Sequence, residues 1–135
     1  MNSTVVEKKN VLLVDDDQIF NFINRRTLEG MDSVNDIHTA LNGQQALDLI
    51  NEYFTGSRSL PEIILLDLNM PLMDGFQFLE VFKKLDLPNI KKVKVIIVSS
   101  SDNPKDIQRA KSLGIEHYLT KPVTEQDLQE IFNTM

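Results

Sequence analysis

Five polar residues in this chain stand at the ends of short strand-like runs. Asp15 and Asp16 follow residues 11–14, Asp67 follows residues 63–66, Ser99 follows residues 93–98, and Lys121 follows the run at 115–120. Taken singly, each has an ordinary explanation. Acidic turns are common, a serine after a strand is usually a turn residue, and a single lysine is usually a solvated charge. Asp67 alone reads as a structural turn residue, a metal ligand or a nucleophile. Taken together, they describe a chemistry. Three carboxylates in one place repel, and burial raises their pKa values unless a cation neutralises them. A hard divalent cation with oxygen ligands answers that need. Such a cation would also cancel the charge of an incoming phosphoryl group and hold it in line with an Asp67 oxygen. Lys121 offers a point charge to a second phosphoryl oxygen, and Ser99 offers a hydroxyl donor to a third.

That chemistry requires elements that bring the five together. Residues 62–66 form an Ile- and Leu-rich run without alternation, which suits a strand buried on both faces, although a short apolar run alone does not exclude a buried helix. It ends at Asp67, and Pro71, Asp74 and Gly75 follow as turn signals. The polar residues 1–9 read as a flexible N-terminal tail ahead of one domain at 10–135. After the first strand, Ile19, Phe22, Ile23 and Thr27 fall near one helical face, with Gly30 as a stop. Residues 34–40 are a more polar strand, hence an edge. After the Asn42-Gly43 turn, Ala46, Leu47, Ile50 and Phe54 form a second amphipathic face, and residues 55–61 are a loop.

Asp74 can cap a third helix with Phe78, Leu79, Phe82 and Leu85 on its apolar face. A connection over 86–92 leads to the strand at 93–98. Asn103-Pro104 starts a fourth helix that Gly114 closes, and residues 115–120 form a fifth strand. Thr124 and Asp127 have the spacing of a capping box, Val123 can staple onto Leu128, and Ile131, Phe132 and Met135 continue the last apolar face. Strand and helix signals that alternate in this way predict a doubly wound α/β domain with a parallel sheet and right-handed crossovers. The common strand order for such a chain is 2-1-3-4-5, with the switch point between the first and third strands. That order places Asp15, Asp16 and Asp67 in one crevice, with Ser99 and Lys121 reaching it from the other side.

Composition narrows the function. The chain has 135 residues, enough for one domain with a sizeable core, and is 41% hydrophobic and 25% charged. Its 14 basic against 20 acidic residues give a net charge of −6, which points away from nucleic acid and anionic membrane surfaces. No stretch reads as a membrane span or signal peptide. The absence of cysteine excludes disulfides, thiol catalysis and cysteine metal sites, and a cytoplasmic location fits best.

The motifs Val14-Asp15-Asp16, Leu66-Asp67-Leu68-Asn69-Met70-Pro71 with Met73-Asp74-Gly75, Val98-Ser99-Ser100 and Tyr118-Leu119-Thr120-Lys121-Pro122 resemble those of receiver domains, the phosphoacceptor modules of two-component response regulators. The resemblance runs from Val11 to about Met135. It implies a flavodoxin-like five-stranded parallel sheet with five helices, and a phosphorylation-activated switch. By that resemblance Asp67 is the phosphoacceptor, and Asp15, Asp16, Asp67 and the backbone carbonyl of Asn69 hold Mg2+, with Mn2+ or Ca2+ as substitutes. Ser99 takes the switch-hydroxyl position and Ser100 a position where a small residue is preferred. Lys121 is the phosphate-binding lysine, Tyr118 is the switch aromatic, and the Lys121-Pro122 peptide is cis. Asp17 resembles a helix-start residue more than a ligand.

The implied partners are a sensor histidine kinase or histidine phosphotransfer protein as donor, and an output protein that the sequence does not name. Neither nucleic acid nor a membrane is implied, and the receiver would be a stand-alone monomer or weak dimer. Such a protein is not an enzyme on an external substrate, since it catalyses only its own phosphoryl transfer and autodephosphorylation. The surface of the fourth helix, fifth strand and last helix, carrying Lys105, Arg109, Lys111, His117 and Tyr118, would be its readout. Three other readings fit less well. A magnesium-dependent aspartyl phosphatase of the haloacid-dehalogenase type needs an acid two residues after its nucleophile, where this chain has Asn69. A flavodoxin-like nucleotide binder would want a Ser/Thr/Gly-rich loop after the first strand in place of three aspartates. A receiver that only docks, without phosphorylation, would have little use for the full set of acidic, hydroxyl and lysine positions.

Overall fold

The computed structural model describes residues 8–56 and 60–134. Five strands alternate with five helices: β1 (Lys9–Val14), α1 (Gln18–Glu29), β2 (Val34–Ala40), α2 (Gly43–Thr55), β3 (Ile63–Leu66), α3 (Gly75–Phe82), β4 (Lys94–Ser99), α4 (Pro104–Ser112), β5 (His117–Thr120) and α5 (Glu125–Asn133). The strands form one sheet in the order β2-β1-β3-β4-β5, and every pairing is parallel. The apolar runs behave as strands buried on both faces. All four residues of β3 are buried, as are the last four of β1. Successive side chains then divide between two cores, because a strand turns alternate residues to opposite faces. Leu12, Val14, Ile64, Leu66 and Ile97 face α2 and α3, against Ala46, Ile50, Phe78 and Leu79. Val11, Leu13, Ile63, Leu65 and Ile96 face α1 and α5, against Leu28, Leu128, Ile131 and Phe132. Each fully buried large aliphatic side chain is worth about 1.5–3 kcal/mol.

Side-chain caps start the helices where the sequence places them. Asp17, Asn42, Asp74, Asn103 and Thr124 each accept backbone N–H bonds in the first turn of α1 to α5 respectively. Such caps contribute about 1 kcal/mol apiece. In α3 and α5 the bond is reciprocated, by Gln77 and Asp127.

The largest departure from expectation is the face that α1 buries. Its apolar positions Ile19, Phe22 and Ile23 are 73%, 61% and 55% exposed, while Asn21, Asn24 and Leu28 are buried. The reason is local. The Asn21 side chain donates to the Asp15 carbonyl at 2.8 Å, so the helix turns a polar stripe toward the strand end beside it. The third helix is also shorter than its pattern. It ends at Phe82, and Leu85 packs on the same core from the connection that follows. That connection contains a single 3-10 turn, Ile90–Lys92. Strand bounds shift as well, with β1 starting at Lys9, β4 at Lys94 and β5 at His117. Residues 1–7, which make up most of the expected tail, lie outside the described residues, as do Met135 and the Phe54 side chain. No described helix is long and apolar enough to cross a membrane.

Candidate functional site

In-register pairing of β1 with β3 matches Val14 with Leu66, so the next residues, Asp15 and Asp67, emerge side by side. The ladder continues for one more bond, from Asp67 N–H to the Val14 carbonyl at 2.9 Å. Asp15, Asp16 and Asp67 each place a carboxylate oxygen within 4.8 Å of the others. Asp15 and Asp67 are buried, and Asp16 is exposed. On the other side, β4 and β5 align Ser99 with Thr120, and Lys121 N–H donates to the Ser99 carbonyl at 2.8 Å. That bond sends the Lys121 side chain back over the crevice. Its Nζ lies 2.7 Å from Asp15 Oδ2 and 3.8 Å from Asp67 Oδ1. The Lys121–Pro122 peptide is cis.

Asp67 carries the electrostatic consequence. Burial first, and the Asp15 carboxylate second, push its carboxyl up from 3.8 to about 6. Lys121 and the Asn69 backbone N–H pull the other way without cancelling the rise. A buried carboxylate beside two others, with the Lys121 ammonium against them, is short of positive charge. Hard oxygen donors of this kind, partly open through Asp16, suit a divalent cation that keeps several waters. The donor set fits magnesium.

Two backbone features hold the loop that follows Asp67. Gly75 N–H donates to the Leu68 carbonyl at 2.9 Å, which seats the start of α3 on that loop. A Cβ at Gly75 would come within 2.5 Å of the Asp67 carbonyl oxygen, so only glycine permits this approach.

The remaining positions fall nearby in graded fashion. Ser99 is fully buried at the end of β4, and its Oγ accepts from Ser101 N–H at 3.1 Å. Ser100 and Asn69 are exposed. Tyr118 is half-buried on β5, and its hydroxyl donates to the Ser101 carbonyl at 2.7 Å. Asp17 is turned into the α1 cap and is not part of the acidic group. Two residues join the site without any sequence signal. Asn21 binds the Asp15 carbonyl, and the Phe20 ring lies beneath the Lys121 ammonium, 4.0 Å from Nζ to the ring centroid. Both stand near the start of α1, directly after the acidic strand end, but nothing in their residue types announces the contact.

The response regulator receiver domain family matches residues 11–133. The chain belongs to the response-regulator receiver family. Receivers of this family are phosphoacceptor signalling domains that bind Mg2+ at an acidic pocket and interact with histidine kinases or phosphotransfer proteins. A two-component response regulator from Cytophaga hutchinsonii superposes with a TM-score of 0.85 at 32% identity, over 95% of this chain and 96% of that one. The phosphorylated cyanobacterial phytochrome response regulator RcpA gives a TM-score of 0.75 at 28% identity, over 94% and 90%. Among curated sequences, a probable methanogenesis regulatory protein of Methanothrix harundinacea is 31% identical over 119 residues, covering 88% of this chain and 76% of that protein. A protein-glutamate methylesterase/protein-glutamine glutaminase of Treponema pallidum is 35% identical, and this receiver spans only 26% of its length.

Proposed function

We propose that this receiver is a phosphorylation-activated switch whose acceptor is Asp67. The observation that carries the reading is the Asp67 carboxylate itself. It is buried beside Asp15 and Asp16, and Lys121 Nζ lies 3.8 Å from its oxygen. The donor is the phosphohistidine of a sensor histidine kinase or histidine phosphotransfer protein. An Asp67 oxygen attacks phosphorus, the phosphorus–nitrogen bond breaks with its electron pair going to nitrogen, and the imidazole, already protonated on its other ring nitrogen in the phosphohistidine, leaves neutral. With its carboxyl near 6, Asp67 is largely ionised at neutral pH and has the electron pair to give.

Asp15, Asp16, Asp67 and the Asn69 backbone carbonyl would hold Mg2+, with Mn2+ or Ca2+ as substitutes. The metal supplies charge neutralisation for the carboxylates and the arriving phosphoryl oxygens. Lys121 turns its ammonium from Asp15 to a phosphoryl oxygen, and Ser99 donates its hydroxyl to another, above the small side chain of Ser100. Movement of Ser99 and its neighbour Ser101 disturbs the bond from Tyr118, and the change reaches the surface of α4, β5 and α5. That surface carries Lys105, Arg109, Lys111 and His117 toward an output protein. Hydrolysis of the acyl phosphate by the same site resets the switch, so the chain turns over only its own modification.

The exposed apolar stripe of α1 supports a protein donor. Ile19, Phe22 and Ile23 stand in solvent on the helix that begins next to Asp15 and Asp16. An apolar stripe beside a reaction site is a natural seat for a partner. Incubation with magnesium and acetyl phosphate, followed by mapping of the base-labile modification, tests the assignment. One phosphoryl group on Asp67, lost on chelation and in Asp67→Asn, is expected; uptake that survives both would overturn it.

A further inference from the structure

Lys121 has two kinds of partner in this structure. One is charged: Asp15 Oδ2 at 2.7 Å and Asp67 Oδ1 at 3.8 Å. The other is neutral: the face of Phe20, with the ammonium 4.0 Å from the ring centroid. The charged partners are the groups that the reaction withdraws. A cation taken up by the acidic group competes for Asp15, and a phosphoryl group consumes an Asp67 oxygen. Each carboxylate contact also neutralises the ammonium, which lowers its attraction for phosphate. An aromatic face does neither. It attracts the cation through its quadrupole and leaves the formal charge, and the remaining N–H donors, free for an oxyanion.

We infer that Phe20 is a positioning residue for the phosphoryl-transfer chemistry of Asp67, holding the Lys121 ammonium over the acceptor by a cation–π contact when the carboxylates are otherwise engaged. The inference rests on the proposed role of Lys121. The ring is itself well placed for the task. Phe20 lies in the first turn of α1, where its backbone N–H donates to the capping carboxylate Asp17 Oδ1 at 3.1 Å. The Asp15 Oδ1 oxygen accepts from Asp17 N–H at 2.9 Å, so the acidic strand end, the cap and the ring form one connected unit. Phe20 is half-buried and packs on the α1–α5 core, so the ring has a fixed backing.

Two measurements test this. In metal-free wild-type protein, and again with magnesium, the Lys121 side-chain proton resonances should be displaced upfield by the ring. The displacement should vanish in Phe20→Leu and persist in Phe20→Tyr. In magnesium-dependent phosphorylation by acetyl phosphate, Phe20→Leu should slow the rate about 2- to 30-fold, with Phe20→Tyr close to wild type. In a Lys121→Met background, Phe20→Leu should cost nothing further. Unshifted Lys121 resonances in the wild type would overturn the inference, as would an equal loss from Phe20→Leu in the Met background. A wild-type protein that takes up no phosphoryl group would instead refute the proposed function, while the ring-induced shift would still decide the contact.

Discussion

The Asp67 carboxyl pays for its position in proton affinity. Its value is raised from 3.8 to about 6, mainly by burial and then by Asp15, so the folded chain holds this proton more tightly than the unfolded chain does. Below about pH 4 both states are protonated and the site costs nothing. Between about pH 4 and 6 the unfolded chain ionises this group while the folded chain still holds the proton, so stability falls across that window and levels off once the folded state ionises above 6. Replacement by the neutral amide removes that penalty. In metal-free buffer, Asp67→Asn should therefore be more stable than wild type by about 1–2 kcal/mol at pH 7, after allowance for solvent screening, and should gain little at pH 4. Paired urea unfolding curves at the two pH values check this. An advantage that is the same at both values would remove the electrostatic explanation.

Single elements carry two further consequences. The start of α3 is pressed onto the loop after Asp67, and a Cβ at Gly75 would meet the Asp67 carbonyl oxygen at 2.5 Å and Leu68 Cα at 2.8 Å. Both are backbone atoms, so neither can rotate aside. Alanine is favoured over glycine in a helix by about 1 kcal/mol, whereas forced overpacking costs about 1–3 kcal/mol. Overpacking should win. Gly75→Ala is expected to lower stability by about 1–2 kcal/mol in chemical denaturation, and to slow acetyl phosphate-dependent phosphorylation by moving Asp67.

The α1 stripe behaves in the opposite way. Phe22 and Ile23 are 61% and 55% exposed, so their replacement by serine removes little buried surface. Stability of Phe22→Ser and Ile23→Ser should change by no more than about 0.5 kcal/mol. Phosphorylation by acetyl phosphate should be preserved, while transfer from a phosphorylated histidine donor domain should fall by about tenfold or more, as for loss of an apolar anchor at an interface. Equal rates from the protein donor would place its docking surface elsewhere.

Over the whole molecule, the proposed acceptor and the proposed readout surface are joined through the ends of β4 and β5. Ser99 Oγ accepts from Ser101 N–H, and the Ser101 carbonyl accepts from the Tyr118 hydroxyl at 2.7 Å. A phosphoryl group adds about −1.5 to −2 charge and new acceptor oxygens, to one of which the Ser99 hydroxyl can donate. Any movement of Ser99 is felt two residues on, where Tyr118 is tied. With a phosphoryl mimic and magnesium bound, NMR shifts should extend from the loops around Asp67 through Ser101 to Tyr118 and α4. Tyr118→Phe should weaken the response in α4 without removing it at Asp67. Shifts confined to the acceptor loops would refute this route.

The alternation of apolar runs with capped helices determines much of this receiver from sequence alone. Asp17, Asn42, Asp74, Asn103 and Thr124 are local signals, because a cap bonds to its own first turn and needs no distant partner. The crevice was legible for a related reason. In a parallel sheet, the ends of neighbouring strands lie together, so the residues that stop each run must meet.

Tertiary structure decided what depends on neighbours. Lys9 becomes a strand residue by pairing with Val34, a choice that its own neighbours do not make. The apolar period of α1 reveals a stripe but not what covers it. Ile19, Phe22 and Ile23 face solvent because the inner face must offer a donor to the Asp15 carbonyl, and Asn21 supplies it. The same turn of the helix brings Phe20 beneath Lys121, a contact between residues from opposite ends of the chain. Helical spacing can place a ring on a face, but only the fold that carries Lys121 back over the crevice, beside the start of α1, sets it under an ammonium.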